Sequence, residues 1–186
     1  MAIKVYPEDK RYTMYIARKV ANSILMRKKA ELMMNFYTHK VTLEIQNGVG
    51  SSNISGTLSG LNSGGDLFSY IGFEDGDDPI EPIIEELENI SLGEGIKVGN
   101  NYRFEVEYPE AADIWAVTPM PWAEGRSWAE GIEKGISGVG HYIRTNSERS
   151  RSGGGLQTKN KLRGGRFKNV QYISALLNNF AKSLNE

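Results

Sequence analysis

Residues 66–113 hold fourteen acidic residues against two basic ones, and within them runs the apolar stretch LFSYIGF. Such a segment has to keep its carboxylates in water while its Leu, Ile and Phe leave it, so it must break into elements with one wet and one dry face. The flanks carry the opposite sign. Residues 1–40 contain nine Lys or Arg against three acids, and residues 144–168 contain eight against one, inside a formal net charge of −1. Charge sorted into blocks of +6, −12 and +7 lets one copy of the chain attract another, because a basic block on one molecule meets an acidic block on the next.

Inside the acidic block, Leu67, Phe68, Tyr70, Ile71 and Phe73 form an apolar patch that must be buried somewhere. Pro79 and Pro82 suit the opening turn of a helix, and Ile80, Ile83, Ile84, Leu87 and Ile90 mark its apolar stripe opposite Glu81, Glu85, Glu86 and Glu88. Acids near a helix start are also favoured by its dipole. Residues 96–98, a Gly99-Asn100-Asn101 turn, and Tyr102, Phe104, Val106 and Tyr108 read as a β-hairpin. Residues 112–118 read as a further strand, stopped by Pro119 and Pro121. Ser127 with Glu130 makes a capping box, and Trp128, Ile132 and Ile136 give a short helix carrying Gly131, Gly135 and Gly138. Each of those glycines costs a helix roughly 1 kcal/mol relative to alanine. Close packing, on the sheet or on a neighbouring subunit, is the simplest reason for them.

Outside the block, Tyr12, Ile16, Val20 and Ile24 recur every four positions with Lys19, Arg27, Lys28 and Lys29 between or after them, which predicts an amphipathic helix over 10–35. Val41, Leu43 and Ile45 alternate with Thr42 and Glu44, the pattern of a half-buried strand ended by Asn47-Gly48. Residues 48–65 are rich in Gly, Ser and Asn and have no settled period. Residues 146–165 have almost no apolar side chains and cannot bury themselves, so they read as a flexible basic arm. Fully stretched, twenty residues span roughly 65 Å, enough to reach an adjacent molecule. Val170, Ile173, Leu177, Phe180 and Leu184 then mark a closing amphipathic helix. The fold class this implies is α+β: a small, mostly antiparallel sheet packed by an N-terminal, a middle and a C-terminal helix, with long Gly/Ser-rich loops. Residues 1–145 form one domain, 146–165 the arm, and 166–186 a helix lying on that domain or on a neighbour.

Chemistry is sparse. The absence of cysteine excludes disulfides and thiolate metal sites and suits a reducing cytosol, or a particle built in one. The amino terminus lacks an apolar h-region and no eighteen apolar residues run together, so neither a signal peptide nor a membrane span is expected. His39 and His141 have no neighbour at metal-ligand spacing and read as surface or packing residues. Glu74, Asp75, Asp77 and Asp78 surround Gly76 without the twelve-residue register of a calcium loop. No GxSxG, Walker A or GxGxxG pattern occurs. No catalytic residue, metal or cofactor is assigned, and the chain does not read as an enzyme.

Two uses of the charge remain. The basic arm, Arg144, Arg149, Arg151, Lys159, Lys161 and Arg163, with Arg166 and Lys168 beyond it, could release counterions from nucleic acid, but the acidic block would repel phosphates. Alternatively the arm meets acids of the next copy, among them Asp75, Asp77, Asp78 and Glu85, while Leu67, Phe68, Phe73 and Trp128 supply apolar contact at the same subunit interface.

The motifs GGDLFSYIGFEDGDDPIEPI, PWAEGRSWAEGIEKGISGVGHYI and SRSGGGLQ, and the closing F-x-x-x-x-YISALLNNF pattern, resemble structural proteins of tailed bacteriophages. The order of parts is similar to the neck and tail-completion group that includes tail terminators. The resemblance implies a virion protein, assembled in the host cytoplasm into a homo-oligomeric ring, commonly six- or twelvefold, at the head–tail junction. Its implied partners are copies of itself and other virion proteins such as the connector, tail tube or sheath. DNA in the lumen is a further contact, and no membrane partner is implied.

Overall fold

A computed structural model describes residues 1–6, 13–59, 66–136, 142–144, 155–157 and 166–185. At its centre is a three-stranded antiparallel sheet in the order β1-β4-β3, built from β1 (Ala2–Val5), β3 (Ser91–Val98) and β4 (Asn101–Glu107). β3 and β4 are the expected hairpin, with Val98 opposite Asn101 and Gly99 at φ 62° in the turn, where a glycine is needed. Alternation places Tyr102, Phe104 and Val106 of β4 inward beside Ile3 and Val5 of β1, all buried. Phe104 lies over Gly95 across the hairpin. A Cβ at Gly95 would fall 2.3 Å from the Phe104 ring, so glycine is required for the ring to lie flat there.

Helix α1 (Met14–Thr38) lies across that inner face, packing on all three strands. Its buried stripe is Ala17, Ala21, Leu25, Leu32 and Phe36. This is one position on from the expected Tyr12, Ile16, Val20 and Ile24: Val20 and Ile24 are half-buried at its margin, Ile16 is exposed, and Tyr12 lies outside the described residues. The alanines explain the shift, since small side chains let a helix approach a sheet closely. From α1, Arg18 donates to the carbonyls of Leu92 and Gly93 at 3.2 and 3.3 Å, where the β3–β4 register slips between Leu92 and Gly95.

Two expected strands are helices. Residues 41–45 belong to α2 (Lys40–Gln46), and 112–118 overlap α5 (Ala111–Ala116). In α2 the buried residues are Val41, Thr42, Glu44 and Ile45, a helical spacing that takes the polar Thr and Glu inside and leaves Leu43 exposed. Capping decides both cases. The His39 side chain accepts from Val41 N–H, and Glu110 and Asp113 form a reciprocal capping box at α5.

The helix behind Pro79 is α4 (Glu81–Glu88), with Ile83 and Leu87 buried, and the capping box at Ser127 opens α6 (Trp128–Lys134), where Ser127 accepts from Glu130 N–H at 3.0 Å. Between α5 and α6, β5 (Pro119–Met120) and β6 (Ala123–Ser127) form a hairpin, so Pro119 stands inside an edge strand. The glycines of α6 answer to this chain's own packing: Gly131 faces Ile136 and Met120, and Gly135 ends the helix at φ 107°. Gly138 lies outside the described residues. The closing helix α7 (Ile173–Ser183) buries Ile173, Leu177, Phe180 and Ala181 and packs on α1 and α5 of the same chain. The short strand β2 (Leu58–Ser59) pairs with β9 (Arg166–Phe167), tying the Gly/Ser-rich loop to the approach of α7. Within the expected arm, β8 (Gly155–Gln157) pairs with β7 (Tyr142–Arg144); the remainder of 146–165 lies outside the described residues. The fold class is α+β, a small antiparallel sheet with several helices.

Candidate functional site

The acidic surface begins where α3 (Leu67–Ile71) ends at Gly72, φ 108°, and the chain turns outward. Asp77 accepts from Glu74 N–H at 2.6 Å and closes the turn around Gly76, φ 95°. Asp78 accepts from the N–H groups of Ile80 and Glu81, both at 3.2 Å, and so satisfies donors at the start of α4. Asp77 and Asp78 therefore shape the local backbone as well as carrying charge. Asp75 and Glu85 are exposed and meet no Lys or Arg at ion-pair distance among the described residues.

The apolar members of the expected interface are elsewhere. Leu67, Phe68, Phe73 and Trp128 are all buried inside this chain, the most exposed of them at 7%. They belong to an aromatic series: Phe68 to Phe73 at 5.2 Å, Phe73 edge-on to Trp128 at 5.8 Å, Trp128 to Tyr172 at 6.3 Å, and Tyr172 stacked on Phe36 at 6.2 Å. Trp122 anchors the end of α3 by donating to Ile71 O at 2.5 Å. The placement of that patch at a subunit contact is thus corrected: α3 turns Leu67, Phe68 and Ile71 toward the core, and Phe73 follows. Of the basic members, Arg144 lies on β7 opposite Gly155, while Arg149, Arg151, Lys159, Lys161 and Arg163 lie outside the described residues.

Sequence reasoning missed a second set of polar residues, inside the corner between α1, α2 and α3. Glu44 is fully buried, and its two carboxylate oxygens accept from Ser55 N–H at 2.8 Å and Leu67 N–H at 3.1 Å. Asp66 accepts from Gly50 N–H at 2.9 Å and from Ser69 N–H at 2.6 Å, capping α3. Two carboxylates thereby hold a Gly/Ser/Asn loop that has little apolar content of its own. Thr42 and Tyr172 share a buried hydroxyl–hydroxyl bond of 2.9 Å. Burial raises the Tyr172 phenol above its usual range, against the lowering effect of the Thr42 bond. His39, half-buried, lies tilted against Tyr172 at 4.8 Å between centroids, and burial lowers its pKa despite a bond to the Gln171 backbone and the charge of Glu133. The helical pair Val41/Ile45 behind a capping His39 was the sequence signal for this corner.

Among the described residues no three His, Cys, Asp or Glu gather as a metal site would need, and no helix is long and apolar enough to cross a membrane. An open groove of about 510 Å³ lies between the end of α6 and α7, lined by Glu133, Asn169, Gln171, Ser174 and Asn178; Glu133 there accepts from Ser174 N–H at 2.7 Å and serves to join the two helices. A second groove, about 350 Å³, lies beside the first turns of α1. The chain matches no family model, no curated protein and no solved structure.

Proposed function

We propose that the chain is a structural subunit of a tailed-phage virion, assembled as a ring at the head–tail junction through charge-complementary contacts between copies. The observation that carries this reading is the exposed acidic surface at Asp75 and Glu85, which meets no cation among the described residues, in a chain that also carries eight Lys or Arg between residues 144 and 168. The likeness of its motifs to phage neck and tail-completion proteins supports the location. In this reading Arg149, Arg151, Lys161 and Arg163 of one subunit pair with Asp75, Asp77, Asp78 and Glu85 of the next, a head-to-tail contact that closes when its rotation completes a circle.

Electron microscopy of the purified chain at low salt tests the ring directly, and a monodisperse monomer refutes it. Changing the four arm bases to Glu should disperse the ring, and an unchanged particle size in light scattering refutes the charge contact. If the chain instead binds duplex DNA with affinity falling steeply as salt rises, the arm serves nucleic acid.

A further inference from the structure

Helix α1 has two faces, and one of them packs on the rest of the described residues. Opposite its buried stripe, Tyr15, Met26 and Tyr37 recur every eleven residues, with Lys19 and Ser23 in the first interval and Ala30 and Met34 in the second. All seven are exposed, Tyr15 at 67%, Met26 at 56% and Met34 at 68%. Eleven residues make three turns at about 3.67 residues each, so the stripe stays on one side of a nearly straight helix. From Tyr15 to Tyr37 it runs roughly 33 Å at 1.5 Å per residue. Four of the seven, Tyr15, Met26, Met34 and Tyr37, are large and hydrophobic, and with Lys19, Ser23 and Ala30 between them they form a row rather than scattered single side chains.

The ridge is nearly a palindrome. Read outward from Met26 in either direction, it passes a small residue, a long one and a tyrosine. A second α1 laid antiparallel would bring Tyr15 to Tyr37 of the partner subunit, Lys19 to Met34 of the partner subunit, Ser23 to Ala30 of the partner subunit, and Met26 to Met26 of the partner subunit. The Ser/Ala pairs let the helix axes approach, and the Lys19 stem covers apolar surface while its ammonium stays wet. The 350 Å³ groove beside Tyr15, lined by Arg18, Lys19, Asn22 and Leu92, lies where the partner's Tyr37 would arrive. Lys19 already stands 4.6 Å from the Tyr15 ring centroid, so the entering ring would meet a cation as well as an aromatic neighbour. Only Lys19 of the seven is charged.

We infer that this face of α1 pairs antiparallel with the same face of a second copy, forming a two-fold dimer. The contact is apolar, whereas the ring contact is ionic, and it does not rest on the ring reading. Raising salt from about 0.1 M to 1 M shortens the Debye length from about 10 Å to about 3 Å, which weakens the ionic contact and spares the apolar one. In 1 M NaCl the full chain should therefore sediment at twice its 20.7 kDa mass, and Met26→Glu should halve that mass. Circular dichroism of the variant checks that it stays folded, as a change at an exposed position should allow. Because the chain has no cysteine, register is open to disulfide formation between introduced cysteines, which needs their Cβ atoms within about 4.5 Å. Met26→Cys alone should crosslink to itself; Ser23→Cys should do so only when mixed with Ala30→Cys. A wild-type monomer in 1 M NaCl, a dimer unchanged by Met26→Glu, or self-crosslinking of Ser23→Cys overturns the inference. Dimers at high salt with no ring at low salt would overturn the ring and leave this contact standing.

Discussion

Glu44 and Asp66 lie inside the protein, Asp75 and Glu85 outside it, and a count of charge along the chain treats all four alike. The interior pair is held by backbone: four N–H groups, from Ser55, Leu67, Gly50 and Ser69, point at two carboxylates and fix a loop that has few apolar side chains to fix itself. The exterior pair bonds nothing described and is free to answer to another molecule. A carboxylate's use is therefore set by whether unpaired backbone donors converge on it, and an acidic block can contain both kinds within ten residues.

The sharpest way to break this comparison is Glu44→Ala. It leaves the Ser55 and Leu67 donors without an acceptor, at about 1–3 kcal/mol each, so the loss should be on the order of 4 kcal/mol. Glu44→Gln keeps one acceptor oxygen and should lose roughly half of that. Urea unfolding measures both, and a Glu44→Ala no less stable than Asp75→Ala would remove the distinction between the two regions.

A smaller effect comes from the hydroxyl pair in the same corner. Tyr172→Phe or Thr42→Val leaves one buried hydroxyl unpaired, costing roughly 1–2 kcal/mol, whereas removing both leaves nothing unsatisfied. The double variant should thus lose less than the sum of the singles, and strict additivity in a double-mutant cycle would mean the bond contributes nothing.

Smaller again is the pH response of His39. Burial first, against the opposing pull of the Gln171 backbone and Glu133, puts its folded pKa below the 6.5 of a free imidazole. The unfolded chain then binds the proton more readily, so the stability His39 gives is whole above about pH 6.5 and is lost as pH falls through the lowered folded value. Protonating Nδ1 would also remove the acceptor for Val41 N–H. His39→Asn keeps an acceptor at the start of α2 without the titration, and its melting temperature should fall less than the wild type's between pH 7 and pH 5.

How much of this was legible in the sequence follows from which force shapes each part. The β3–β4 hairpin, α4, α6 and α7 were readable because apolar spacing and turn or cap residues agree there. Residues 41–45 and 112–118 misled because five to seven residues of mixed polarity satisfy both periods, and the deciding bonds come from His39 and Glu110, just outside each run. The patch from Leu67 to Phe73 was correctly seen as needing burial. Its destination depended on long-range contacts with Trp128 and Tyr172 that no local window contains. The interior role of Glu44 was invisible for the same reason, since its partners are eleven and twenty-three residues away.

The smallest effect on stability, and the clearest on assembly, belongs to the exterior pair. Asp75→Lys with Glu85→Lys breaks no described hydrogen bond or ion pair, so unfolding should shift by no more than about 0.5 kcal/mol per site. Asp77 and Asp78 are poorer choices, because their side chains hold the turn and the start of α4, and a change there would confuse folding with docking. If the acidic face meets the basic arm of a neighbour, the double variant should be as stable as the wild type yet fail to form rings at low salt. It should recover them when mixed with a chain whose Arg149 and Arg151 are changed to Glu, because Glu on that arm then faces Lys on the acidic surface. Loss of folding together with rings would mean the outer carboxylates, like the inner ones, are part of the architecture, and the two regions would no longer differ in kind.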